Sequence, residues 1–201
     1  SMHPFTCGID TYMLYTGYER RIRDYLEYHK RYFEAMNILG AKYLVFHGNK
    51  TPCADSVVIE GYARLDEVAK SFGVKLLQEN VCRCTTGDLS QLLSMKKALG
   101  ADAGFVLDTK QAVRKGYDPY DFVAALGENI KHVHFSDHGK KGDCLIPGEG
   151  EIDTERFIRS LISVGFEGSI MLELYRSGFK DYDDLIKSVN YIQNVISKLE
   201  K

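Results

Sequence analysis

Short apolar runs alternate with longer stretches of helical periodicity along this chain. The short runs are rich in leucine, β-branched and aromatic residues, and each ends in a polar or ionisable residue, which is typical of buried parallel strands. The pattern predicts strands at residues 43–47, 74–79, 104–108, 132–137 and 169–173.

The longer stretches carry apolar residues three and four positions apart, which predicts amphipathic helices. Most are followed by a glycine, a common helix stop, and Asp88 and Asp153 stand at two expected N-caps. The predicted helices cover residues 18–39, 56–72, 89–99, 119–126, 154–164 and 182–199.

Strands that alternate with helices through short connections run parallel, so the chain is predicted to have an α/β fold. Two architectures remain open at this point: a doubly wound sheet, and all or part of a (β/α)8 barrel. The sequence contains no G-x-G-x-x-G turn, which a dinucleotide-binding doubly wound sheet would need.

The composition narrows the class of protein. The 201 residues are 44% hydrophobic and 27% charged, with a formal net charge of −2. This predicts one globular domain over residues 1–201 and offers no basic surface for nucleic acid. Five cysteines, an odd number, do not predict a disulfide framework. No apolar run reaches the roughly 18 residues of a membrane span, so we expect a cytoplasmic protein with no membrane partner.

Metal-capable side chains lie at the end of every predicted strand. In chain order they are His47, Glu79, Asp108, His134 with Asp137, and Glu173. One carboxylate after a strand is commonly a helix cap, but five successive strand ends of this kind form a stronger pattern. In a barrel these ends meet on one face, where carboxylates would repel each other without a neutralising cation. The pattern predicts one divalent metal ion: the oxygen-rich donors favour Mn²⁺, Mg²⁺ or Co²⁺, and Zn²⁺ is compatible.

Six short segments, in order along the chain, resemble the xylose isomerase-like TIM-barrel superfamily. That superfamily includes sugar and sugar-phosphate isomerases and epimerases, and the apurinic-site (AP) endonuclease branch. The segments are LGAKYLVFHG at 39–48, LQEN at 77–80, VLD at 106–108, KHVHFSD at 131–137, IPGEGEID at 146–153 and MLE at 171–173.

The resemblance implies a metal held by Glu79, Asp108, His134 and Glu173. In the isomerase and epimerase members, two such glutamates, here Glu79 and Glu173, also exchange a proton on opposite faces of a bound ketose. Carboxylates on either side of a polarised carbonyl suit this proton transfer.

The resemblance also implies substrate contacts. His3 and His47 match positions that contact substrate, or extra metals in the endonuclease branch. Gln111 stands where the family has the histidine of Asp-x-x-His, and it could hydrogen-bond a hydroxyl group. Independently of the resemblance, Arg176 follows Glu173 by three residues and could bind a substrate carboxylate or phosphate, with a surface role as the alternative. The missing imidazole at position 111 argues against three-metal endonuclease chemistry and favours a mononuclear site.

Aligned from its C-terminal end, the chain is shorter than a complete barrel of about 250 residues. Residues 169–173 correspond to the eighth strand, 43–47 to the fourth and 3–5 to the end of the third. We therefore expect an incomplete (β/α)8 TIM barrel with five to six of eight strands, shortened at its N-terminal side. Because exposed strand edges invite pairing, we also expect a homo-oligomer in which a second copy covers the gap.

The favoured function is a metal-dependent isomerase or epimerase of a small sugar or sugar phosphate. The alternatives are a lyase of the inosose dehydratase type and a non-catalytic metal-binding remnant. AP endonuclease activity is less favoured, because the chain lacks both a basic surface and the extra histidine.

Overall fold

A computed structural model describes residues 1–5 and 8–199. Contacts divide the chain into two compact units, unit 1 (Ser1–Val106) and unit 2 (Leu107 onward). None of the helices in the described ranges is both long enough and apolar enough to cross a lipid bilayer.

Unit 1 consists of parallel strands and the helices that connect them. Strands β1 and β2 pair in parallel from Tyr43↔Lys75 to Phe46↔Gln78, and β2 pairs with β3 at Gln78↔Phe105 and Glu79↔Val106. The strands are β1 (Tyr43–Phe46), β2 (Lys75–Glu79) and β3 (Phe105–Asp108), whose last two residues belong to unit 2. The helices are α1 (Asp10–Met13), α2 (Glu19–Leu39), α3 (Asp55–Ser71) and α4 (Leu89–Leu99).

Both faces of the unit 1 strands are covered. Successive strand residues point to opposite faces, and Leu44 and Leu76 are as completely buried as Val45 and Leu77, which follow them. Val45 and Leu77 pack with Val106 in one apolar cluster. Because both faces are buried, these strands appear in the sequence as continuous apolar runs.

Helix α2 shows how the predicted helices begin and end. Ile22, Tyr25, Phe33 and Met36 lie on its buried stripe. The helix ends at Gly40, whose φ of 67° is the left-handed conformation that glycine adopts without strain. The predicted glycine stop is confirmed here.

Unit 2 contains a parallel strand pair and a separate antiparallel hairpin. Strand β4 pairs with β7 from His132↔Ser169 to Phe135↔Leu172, and β5 pairs with β6. Its strands are β4 (Ile130–Phe135), β5 (Asp137–Gly139), β6 (Gly142–Leu145) and β7 (Ser169–Leu172). Its helices are α5 (Thr109–Lys115), α6 (Pro119–Leu126), α7 (Thr154–Ser163) and α8 (Tyr182–Leu199).

All five predicted strands and six predicted helices are present, and their ends differ from the predicted ones by at most two residues. The predicted N-cap at Asp153 is confirmed, since its side chain accepts a hydrogen bond from the backbone N–H of Arg156. Helices α1 and α5 and the β5–β6 hairpin were not predicted. Helix α5 follows β3 without a loop, and Asp108 is both the last strand residue and the helix N-cap. The described cysteines are free thiols, and Cys7 lies outside the described residues.

Asp137 organises the loop that follows the hairpin. It is completely buried, and its carboxylate accepts four backbone hydrogen bonds. The donors are the N–H groups of His138 (2.8 Å) and of Gly148, Gly150 and Ile152 (3.0 Å each). A strand-end carboxylate therefore serves here to satisfy backbone donors, which need partners when buried.

Candidate functional site

In unit 1, three predicted site residues lie together at the carboxyl ends of β1 and β2. Nε2 of His47 lies 2.9 Å from Oε2 of Glu79, and Nε2 of His3 lies 3.6 Å from the same oxygen. The two imidazoles meet edge to face, with ring centroids 4.5 Å apart. Glu79 is only 2% exposed, so the two more exposed imidazoles meet a buried carboxylate.

Polar side chains fix the backbone around this group. The buried amide of Gln78 donates to the carbonyl oxygens of Phe46 (2.9 Å) and Glu79 (3.0 Å). The hydroxyl of Thr86 donates to the carbonyl of His47 at 3.2 Å. Because strands β1 and β2 are tied together where they end, the imidazole and carboxylate of this group are presented by a rigid frame.

In unit 2, Asp108, His134 and Glu173 form a second group. Their ligand atoms all lie within 4.8 Å of one another. Nδ1 of His134 is 2.7 Å from Oε2 of Glu173 and 4.0 Å from Oδ2 of Asp108. The pairing of β4 with β7 explains why His134 and Glu173 meet. The backbone N–H of Glu173 donates to the carbonyl of Phe135 and extends this pairing by one residue.

His132 and His134 lie on the same face of β4 but have different surroundings. Nδ1 of His132 is 3.0 Å from the hydroxyl of Ser169, and its ring stands edge to face with that of His134. His134 is the histidine that reaches the carboxylates, as the predicted ligand set requires.

Lys110 is the neighbour that sequence reasoning missed. Its ammonium lies 2.9 Å from Oε1 of Glu173 and 3.3 Å from Oδ2 of Asp108, and the side chain is 1% exposed. A lysine in the first turn of a helix opposes the helix dipole, but this sign could not be read from the sequence because α5 was not predicted.

The charges around Glu173 act in opposite directions. Burial raises the pKa of the Glu173 carboxyl, but the hydrogen bonds from His134 and Lys110 lower it more, and the result is a pKa of about 2. Burial likewise lowers the pKa of the Lys110 ammonium, whereas Asp108 and Glu173 raise it by more. Glu173 is therefore a carboxylate, and Lys110 a cation, at neutral pH.

The remaining predicted residues lie near unit 2 strand ends. The backbone N–H of Gln111 donates to Oδ1 of Asp108 at 2.9 Å, the bond by which Asp108 caps α5. The guanidinium of Arg176 donates to the carbonyls of Phe179 (2.8 Å) and Lys180 (3.2 Å) in its own loop. Their roles in substrate binding stay predictions.

The donor chemistry of the unit 2 group fits a divalent metal ion. Two carboxylates and one imidazole, close together and mostly buried, match the oxygen and nitrogen ligands that Mn²⁺, Co²⁺ and Zn²⁺ accept. The unit 1 group offers two imidazoles and one carboxylate, also within 4.8 Å of one another.

Comparison with known proteins gives relatives that act on inososes. The chain is 27% identical over 174 residues to an inosose isomerase of Bacillus licheniformis, covering 79% of this chain and 63% of the relative. It is 23% identical over 155 residues to an inosose dehydratase of Lacticaseibacillus casei, covering 66% of this chain and 51% of the relative. The chain thus spans between one half and two thirds of the length of these relatives.

Solved structures share the fold. A D-tagatose 3-epimerase-like protein superposes with a TM-score of 0.78 at 22% identity, covering 98% of this chain and 77% of the other. The IOLI protein, solved with a bound zinc atom, superposes with a TM-score of 0.74 at 20% identity, covering 92% and 74%.

Residues 3–195 match the family described as "Xylose isomerase-like TIM barrel". The predicted fold class is confirmed: an α/β fold of the TIM-barrel type, of which the described chain provides five parallel barrel strands. Because the match covers nearly the whole sequence, the chain belongs to the xylose isomerase-like TIM barrel family.

Proposed function

We propose that this chain carries the metal and proton-transfer site of an isomerase or epimerase acting on a small sugar or sugar phosphate. The observation that carries the proposal is the group of Asp108, His134 and Glu173, whose ligand atoms lie within 4.8 Å of one another. The relatives support it, since their names include inosose isomerase and D-tagatose 3-epimerase-like protein.

The proposed ligands of one divalent ion are Glu79, Asp108, His134 and Glu173. Glu79 is included because it pairs with Val106 on β3, the strand that ends two residues later in Asp108. Mn²⁺, Mg²⁺ and Co²⁺ suit the oxygen-rich set, and the zinc atom of the IOLI protein makes Zn²⁺ a further candidate. When bound, such an ion would polarise the carbonyl of a ketose and its neighbouring hydroxyl.

Proton transfer and substrate contact are proposed for different residues of this chain. Glu173 is ionised, which is the state that a proton acceptor needs, and Glu79 is proposed to hold the proton on the opposite side of the substrate. The hydrogen bonds from His134 and Lys110 keep Glu173 ionised in the metal-free chain, and loss of either contact would make it a stronger base. His3 and His47 are proposed to contact substrate beside Glu79, and Gln111 and Arg176 are proposed to contact its hydroxyl or anionic groups.

A second candidate is a lyase of the inosose dehydratase type. The similarity to the Lacticaseibacillus casei inosose dehydratase favours it. The two activities share the first step, removal of a proton next to a carbonyl, and differ in whether the proton returns or a neighbouring hydroxyl leaves as water.

The experiment is proton exchange in D₂O. The chain is loaded in turn with Mn²⁺, Co²⁺, Mg²⁺ and Zn²⁺ and incubated with ketoses, ketose phosphates and inososes, and deuterium at the carbon next to the carbonyl is followed by NMR. We expect exchange with at least one substrate, and a loss of at least 100-fold in Glu173→Gln and Glu79→Gln. Loss of one water from the product, read by mass spectrometry, would select the lyase.

The matched control is Glu128→Gln, an exposed glutamate in the turn before β4. It should exchange at the wild-type rate. Metal-loaded protein that exchanges no proton on any of these substrates would refute the proposed activity and leave a metal-binding protein without turnover. The expected homo-oligomer and the cytoplasmic location stay predictions.

A further inference from the structure

The ammonium of Lys110 lies among the carboxylates of the unit 2 group, those of Asp108 and Glu173. A buried ammonium is costly unless it is paired, and this one lies within 3.3 Å of oxygens from two different carboxylates, those of Asp108 and Glu173. These same two residues are proposed metal ligands. The chain therefore supplies its own positive charge at the place where a divalent ion would bind.

Two hydrogen bonds anchor the start of α5, the turn that carries the buried Lys110. The hydroxyl of Thr109, which precedes it, donates to the carbonyl of Ser136 at 2.7 Å and accepts from the backbone N–H of Ser136 at 3.1 Å. Both residues are buried. These bonds attach the first residue of α5 to the segment just after β4, the strand that carries His134.

The ring of the partly exposed Tyr175 also contacts the ammonium of Lys110. Nζ of Lys110 lies 4.9 Å from the centre of the Tyr175 ring. Arg114 donates to the Tyr175 hydroxyl at 2.7 Å and is itself paired with Asp143. The ring therefore has a fixed position, and a cation over an aromatic face is stabilised by the ring quadrupole.

We propose that Lys110 is a built-in competitor of the divalent ion: its ammonium occupies the oxygens of Asp108 and Glu173 and must leave them before the ion can bind. The identity of residue 110 would then set how tightly the site holds metal. This inference rests on the proposed metal site, but not on turnover of any substrate.

The test is calorimetric titration of Mn²⁺ into metal-free full chain. Lys110→Met keeps an unbranched side chain one atom shorter and removes its charge, and we expect it to bind Mn²⁺ at least tenfold more tightly than wild type. Lys110→Arg keeps the charge and should bind at least as weakly as wild type. The control Lys141→Met, at an exposed position in the β5–β6 turn, should match wild type. Equal or weaker Mn²⁺ binding by folded Lys110→Met, or no binding by any variant, would overturn the inference.

A measurement on the wild-type chain covers the case in which Lys110→Met does not fold. With diamagnetic Zn²⁺, the nuclear Overhauser contact between the Lys110 Hε and Glu173 Hγ protons should disappear as the site fills. Its persistence at saturation would overturn the inference.

The two proposals fail in different ways. Tighter Mn²⁺ binding in Lys110→Met without proton exchange on any substrate supports the role of Lys110 and refutes the proposed activity. If the protein exchanges protons but Lys110→Met binds Mn²⁺ no more tightly than wild type, the proposed activity is supported and the role of Lys110 is refuted.

Discussion

Asp137→Asn replaces one oxygen of a buried carboxylate by an amide nitrogen and tests how the 146–152 loop is held. The carboxylate is completely buried and accepts four backbone N–H groups. Asparagine keeps one accepting oxygen, so two of the four donors lose their partner and face an NH₂ group instead. With either orientation of the amide, two of the four backbone N–H groups lose this acceptor.

The cost follows from the number of bonds lost. A hydrogen bond to a charged group contributes about 1.5–3 kcal/mol, so two of them amount to about 3–6 kcal/mol. Domains are stable by only about 5–15 kcal/mol, so the variant should lose a large part of its free energy of unfolding. Gly150→Ala should act on the same contact, because a Cβ there would lie 2.3 Å from Oδ1 of Asp137.

The assay is urea unfolding followed by circular dichroism, with the free energy of unfolding compared between variants. The control is Asp121→Asn, at an exposed position on α6, which should stay within about 0.5 kcal/mol of wild type. In the double variant of Asp137→Asn and Gly150→Ala, the two losses should not add, because they break the same bonds. A loss below about 1 kcal/mol in Asp137→Asn would refute the argument.

Three further predictions concern unit 1. Burial lowers the pKa of His29, so the neutral imidazole contributes stability that is fully present above the usual histidine pKa of about 6.5 and is lost as the pH falls below it. His29→Gln should flatten the fall in the free energy of unfolding that urea titrations measure between pH 7 and pH 5. An unchanged slope would contradict this. Burial raises the pKa of Cys84 to about 12, so iodoacetamide at pH 8 should label the exposed Cys53 well before Cys84 in peptide mass maps; equal rates would count against this. Tyr62→Phe should lower the free energy of unfolding by about 1 kcal/mol, because the buried hydroxyl donates to the carbonyl of Leu76 at 2.8 Å; no loss would show that this bond adds nothing.

The strands and helices could be predicted from the sequence because their causes are local. A strand covered on both faces needs an unbroken apolar run, as at Val45 and Leu77, and a helix that ends in the left-handed conformation needs a residue such as Gly40. The ends of parallel strands lie at one edge of a sheet, so Asp108 could be named as a site residue from its position alone.

The partners of these side chains were decided by the tertiary structure. His3 and His47 are 44 residues apart, and the parallel bridge from Met2 to Leu44 places the N-terminal segment beside β1. Arg176 could equally have faced a substrate, but it donates to carbonyls of its own loop. No periodicity encodes either outcome.

The same distinction separates three charged residues near the strand ends of unit 2. By position in the sequence, Asp108 and Asp137 are equivalent strand-end carboxylates and Lys110 is an ordinary helix lysine. In the fold, Asp137 is surrounded by backbone N–H groups, whereas Asp108 lies beside an imidazole and an ammonium. Local pattern determines where a charge lies along its strand or helix. Its chemistry depends on which groups replace the water it loses on burial, and those groups come from distant parts of the chain.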